Sequence, residues 1–152
     1  MKSIPLLLLC LSAFAGHVFA QGPAFLSEYQ WNQRVLLVFG SEQDRGGLFP
    51  QQMASLLSHQ QDLAARDVIF FQFSLNDGSG PGIGIRTPRI FSEQTELLRQ
   101  DYGVSPQEFV VILVGKDGSE KLRKTNELLS PQELFLIIDG MPMRQQEMRE
   151  RQ

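Results

Sequence analysis

The residues best equipped for chemistry in this chain are cations. Arg86 and Arg89 stand in a glycine-rich stretch beside Thr87-Pro88. Lys121 and Arg123 alternate along a short polar run, followed by Lys124, and Arg144 lies further on. A guanidinium grips a carboxylate or phosphate through two parallel hydrogen bonds, so a cluster of such groups suits a small anionic ligand or a peptide terminus. Residues two apart on a strand share a face, so Lys121 and Arg123 are expected to point the same way. Lys121, Arg123, Arg144, Arg86 and Arg89 are therefore the candidate ligand-binding residues. The competing reading is a solvated face with scattered ion pairs, which contribute little.

Thiol and imidazole chemistry have almost nothing to work with. The 152-residue chain holds one cysteine, Cys10, and two histidines, His17 and His59. Cys10 falls in an N-terminal stretch with the three parts of a secretory leader. Lys2 is the positive region, residues 4–14 are the apolar region, and Val18-Phe19-Ala20 is a peptidase site that would cut between Ala20 and Gln21. Residues 1–20 thus read as a signal peptide, 21–145 as one domain and 146–152 as a C-terminal tail. Leu9 precedes Cys10 where a lipid-attachment motif needs a small residue. Cys10 is expected to leave with the leader, giving a cysteine-free mature chain, periplasmic or secreted, with no stable membrane insertion.

His59 sits among polar residues of a helical pattern and reads as a surface histidine. With no second imidazole in the domain, neither a metal site nor another cofactor is expected. Ser41 lacks an identifiable base and reads as a capping or loop residue. The formal net charge is −3, and loss of Lys2 with the leader makes it more negative. That balance argues against nucleic acid or an anionic membrane as the main partner. A protein or a small anionic ligand remains, and the oligomeric state stays open.

The elements that must position these residues follow from apolar periodicity. Residues 35–39 read as a buried strand and 41–50 as a polar loop. Residues 51–66 read as an amphipathic helix carrying Met53, Leu56, Leu57 and Leu63, and 68–75 as a second strand. After a long glycine-bearing loop, residues 92–102 read as a helix ending at Gly103. Residues 109–115 form a third strand, and Lys116-Asp117-Gly118-Ser119 turns it into an antiparallel fourth. Ser130-Pro131-Gln132-Glu133 starts a last helix as a capping box, with Leu134, Phe135, Ile137, Ile138 and Met141 as its apolar face. The charged stretch after Met143 reads as a frayed helix end. This order predicts an α/β, thioredoxin-like domain: a central mixed sheet of about four strands flanked by helices.

Three blocks sharpen that expectation. They are Trp31-Asn32-Gln33-Arg34 running into the apolar 35–39, Gly115-Lys116-Asp117-Gly118-Ser119 with Lys121 and Arg123, and Asp139-Gly140-Met141-Pro142-Met143-Arg144. Together they resemble the domain of unknown function 4174 family, whose domain also occurs in extracellular vertebrate proteins such as the sushi-repeat-containing protein. The resemblance implies a thioredoxin-like fold and a peroxiredoxin-like activity proposed for some members. Such a peroxidase needs a thiolate at the N-terminus of the helix after the first strand, where the dipole lowers the thiol pKa. Here that loop is Ser41-Glu42-Gln43-Asp44-Arg45-Gly46-Gly47, without cysteine. Serine cannot cycle through a sulfenic acid. The reading is therefore a non-catalytic binding module, offering the 41–47 loop, the glycine stretch and the basic hairpin to a protein or anionic ligand. The alternative is a peroxiredoxin-like oxidoreductase.

Overall fold

A computed structural model describes residues 26–44, 46–73 and 92–151. The leader with Cys10, Ala20 and Gln21, and the glycine stretch with Arg86 and Arg89, lie outside these residues. β1 (Arg34–Phe39) is buried along its whole length. A strand enclosed on both faces needs no polar alternation, which is why it reads as one apolar run.

From β1 the chain crosses through α1 (Leu48–Ser58) and α2 (Gln60–Ala64) to β2 (Val68–Phe73), which lies parallel to β1. The single helix expected over 51–66 is corrected here in two places. It starts earlier because the Asp44 carboxylate accepts hydrogen bonds from the Leu48 and Phe49 amides at 2.8 and 3.0 Å. That satisfies first-turn donors which would otherwise be orphaned. It breaks at His59, whose backbone leaves the helical region (φ −117°, ψ 25°). The His59 ring Nδ1 lies 2.9 Å from the Ser55 carbonyl, so this histidine marks the helix boundary.

α3 (Ser92–Asp101) ends as expected, with Gly103 at φ 59° and the Val104 amide reaching back to the Arg99 carbonyl at 2.7 Å. That left-handed glycine and returning bond close a helix C-terminus. β3 (Val110–Val114) pairs antiparallel with β1, and β4 (Glu120–Thr125) pairs antiparallel with β3. The turn between them matches expectation, with Gly118 at φ 81° and the Gly115 amide bonded to the Ser119 carbonyl. The strand order β2-β1-β3-β4 is the thioredoxin-like arrangement.

α4 (Pro131–Asp139) begins with Ser130 Oγ accepting from the Glu133 amide at 3.2 Å and with Pro131 in the first turn. The Glu133 carboxylate meets Lys124 Nζ across the sheet edge at 2.9 Å. The stretch expected to fray after Met143 is instead α5 (Pro142–Glu150), again started by a proline. It has no apolar stripe and is fastened by ion pairs of Arg144 and Glu147 instead.

Two apolar layers sandwich the sheet. Leu36, Val38, Val111 and Leu113 pack with Met53 and Leu56 of α1, Leu63 of α2, and Leu134 and Ile138 of α4. Val35, Leu37, Phe39 and Ile112 pack with Leu98 of α3 on the opposite face. The alternation along β1 and β3 is the two-residue period of a pleated strand. The α4 face expected from five apolar residues centres on Leu134 and Ile138, with Ile137 only partly buried. Ile138→Ala should therefore cost about 2–5 kcal/mol through the cavity it leaves. Leu136→Ala, at a position 77% exposed, should stay within about 0.5 kcal/mol. Urea denaturation of the two variants measures the contrast, and equal costs would mean the helix face is misassigned.

Candidate functional site

The two ends of the sheet differ in chemistry. At the C-terminal end of β1, the loop after Gly40 leads to the start of α1. Ser41 Oγ donates to the Gln107 carbonyl at 2.6 Å and accepts from the Gln43 amide at 2.9 Å, so it serves as a loop residue. Free amides at a helix N-terminus attract an anion, and here Asp44 already supplies one. Arg99, 2% exposed, donates to the carbonyls of Gly40 and Ser105 at 2.6 and 3.2 Å and lies over the Phe39 ring. Burial lowers its pKa.

At the other end of β1 stands Arg34, 1% exposed. Its guanidinium forks onto the Glu147 carboxylate at 3.0 and 3.3 Å and donates to the Arg66 carbonyl at 2.8 Å. Lys116, just past β3, reaches Glu147 at 2.8 Å and Asp67 at 2.9 Å. Arg66 clasps Asp139 at 2.7 Å and lies over the Phe135 ring, while Arg144 approaches Asp139 at 3.3 Å. One network thus joins the α2–β2 junction, β1, β3 and α5. Burial alone would raise the Glu147 carboxyl, but hydrogen bonds from Lys116 and Arg34 outweigh it and hold it at about 2. Asp139 is held low in the same way, its burial being overcome by Arg66 and Arg144.

Above this network a cleft of about 710 Å³ opens between the β3–β4 hairpin and the α4–α5 junction. Leu136, Ile137, Met141, Pro142 and Met143 line its apolar side, and Arg34, Lys116 and Lys121, with the carboxylate of Asp117, its charged side. Lys121 lies across Gly115, where an added Cβ would fall 2.5 Å from its Cε. A side chain at Gly115 would displace the ammonium, so glycine there shapes the rim. Lys121 pairs with Asp117 at 2.7 Å.

The structure separates the candidate cations. The expectation that Lys121 and Arg123 share a face is corrected by a bulge. Val114 pairs with Glu120 but Leu113 with Leu122, leaving Lys121 as the extra residue. An extra residue breaks the two-residue alternation. Lys121 consequently faces the cleft, whereas Arg123, opposite Ile112, bonds to the Tyr102 carbonyl and to Glu120. Arg144 is buried in the ion network and holds structure together. Arg86 and Arg89 lie outside the described residues.

Sequence reasoning missed Arg34, Lys116 and Glu147, the centre of the network, and Gln52. The Gln52 side chain, fully buried, exchanges two hydrogen bonds with the Leu129 backbone at 2.8 and 3.0 Å. The available signal was a charged residue opening an otherwise apolar strand, which demands a partner.

Comparison with known proteins follows from this geometry. Residues 25–147 match the family described as Domain of unknown function (DUF4174). The chain belongs to that family. It is 30% identical over 135 residues to coiled-coil domain-containing protein 80 of Danio rerio, a match covering 82% of this chain and 16% of that protein. The chain therefore spans about a sixth of that relative's length. Among solved structures, the reduced 2-Cys peroxiredoxin of Plasmodium vivax superposes with a TM-score of 0.59 at 18% identity, covering 80% of this chain and 84% of that one. The mitochondrial 2-Cys peroxiredoxin of Plasmodium falciparum gives 0.55 at 16% identity, covering 76% and 79%. At such identities the likeness concerns the fold: this DUF4174 domain is thioredoxin-like. Among the described residues no cluster of His, Cys, Asp or Glu side chains suits a metal ion.

The network gives the DUF4174 domain a defined acid response. Glu147 titrates lower folded than its ordinary 4.5, so its contribution is complete above about 4.5 and disappears as the pH falls toward about 2. Glu147→Gln should cost about 3 kcal/mol at neutral pH, because it leaves the buried Arg34 without a carboxylate and Lys116 with Asp67 alone. The variant should also lose part of the fall in stability between those pH values. Denaturant titrations across that range measure both, and an unaltered acid limb would remove Glu147 from the account.

Proposed function

We propose that this DUF4174 domain is a non-catalytic binding module on a thioredoxin-like fold, serving a protein or an anionic ligand. One observation carries the reading. The helix N-terminus that could activate a thiolate is capped by Asp44, and residues 25–147 contain no cysteine. A carboxylate there fills the donors but cannot be oxidised and re-reduced as a thiol can. The cleft at the opposite end of the sheet supports a binding role, since concave sites of this size that mix apolar walls with a few polar groups commonly hold ligands. Lys121, in the lining of that cleft, supports an anionic ligand there. Arg123, on the other face, and Arg86 and Arg89 remain candidates for a separate contact.

Purified protein should consume hydrogen peroxide in the presence of a thiol reductant no faster than a buffer blank. Turnover above the blank would reverse the reading toward a peroxiredoxin-like oxidoreductase.

We also propose that the protein is exported and cut between Ala20 and Gln21. The positive, apolar and small-residue segments of 1–20 support this, and no helix among the described residues is long and apolar enough to cross a membrane. Intact-mass measurement of the chain recovered from its native compartment should begin it at Gln21. A species retaining Cys10 would overturn both the cleavage and the thiol-free mature chain.

A further inference from the structure

The cleft beside the α4–α5 junction has a lining that selects a ligand class, and this inference rests on the binding-module reading. Its apolar side is unusually open: Leu136 is 77% exposed and Met143 38%. Exposed apolar surface gathered around a concavity marks a contact site. Methionine side chains adapt to flexible apolar partners, and Met141 and Met143 both line the cleft. The opposite side carries Arg34, Lys116 and Lys121, together with Asp117.

Among the residues that line the cleft, the cations Arg34, Lys116 and Lys121 outnumber the one carboxylate, Asp117; Glu147 and Asp67, which pair with Arg34 and Lys116, stand outside the lining. Arg34, which lines the cleft, also keeps a buried Nε with no hydrogen-bond partner. A buried donor without an acceptor is costly, and an entering anion reduces that excess of positive charge. A bare inorganic anion would leave the apolar wall wet, and a cationic ligand would meet repulsion.

We infer that the cleft binds a single-chain amphiphile with an anionic head, of the alkyl carboxylate class. The chain lies against Leu136, Ile137 and Met143. The head sits at Lys121, competing with Asp117 for its ammonium, within the field of Lys116 and Arg34. A volume of about 710 Å³ accommodates a ligand of that size.

Isothermal titration of the purified protein with dodecanoate below its micelle concentration tests this. Saturable binding at one site is expected, with binding of dodecyltrimethylammonium at least about tenfold weaker and no binding of acetate. Leu136→Asp and Lys121→Glu should each weaken dodecanoate by about tenfold. Both positions are exposed, and unchanged circular dichroism and melting confirm that each variant folds. Absence of saturable dodecanoate binding, equal binding of the cationic amphiphile, or wild-type affinity in the Leu136 variant would each overturn the inference. Peroxide turnover on the same preparation separates the two claims: no turnover together with no dodecanoate binding overturns the ligand assignment and leaves the non-catalytic reading standing.

Discussion

A guanidinium sealed at the start of the innermost strand imposes one requirement on everything near it. Arg34 is 1% exposed, and an arginine cannot shed its charge by losing a proton at physiological pH. Water is excluded, so the protein must supply an anion with matching geometry. Glu147 does so with two hydrogen bonds, from a helix near the end of the chain. Lys116 shares the same carboxylate and leans on Asp67. The docking of α5, the placement of the β3–β4 turn and the junction before β2 all follow from neutralising this end of the sheet.

The cleft is a consequence of that docking. α5 has little apolar surface of its own, and ion pairs hold it where Met141, Pro142 and Met143 face the hairpin. The chain turns from α4 into α5 at Gly140 and Met141 while Asp139 stays bound to Arg66 and Arg144. An element fastened by charge can therefore leave its apolar residues at the surface. The opposite end of the sheet is built the other way. There Asp44 saturates the first amides of α1, and the loop is tied down through Ser41 and Arg99. Within residues 25–147 the shared fold with peroxiredoxins thus comes without the group their name specifies, since a fold fixes where a site can be and not what occupies it.

Much of this architecture was legible in the residues. The four strands, the Gly118 turn, the Gly103 helix end and the Ser130 start were read from local patterns. Each depends on residues adjacent in the chain: a glycine's access to positive φ, or a serine oxygen three residues from the amide it caps. The candidate site was less legible. Lys121 and Arg123 looked like a pair on one face until the bulge at Lys121 separated them. Arg144 looked like a ligand contact and proved to be buried beside Asp139. α5 looked frayed because its sequence lacks an apolar stripe, and its anchoring partners lie more than a hundred residues away in Arg34 and just past β3 in Lys116.

The sequence by itself determined the absence of a thiol from residues 25–147, the family, and the order of the four strands. These are properties of composition and short-range periodicity, and they need no knowledge of distant neighbours. Only the tertiary structure decided which cations meet which carboxylates, which side of β4 Lys121 occupies, and that a cleft exists at all. Those outcomes depend on long-range contacts and on one unpaired residue in a ladder, and neither desolvation nor register can be read from a residue's own identity.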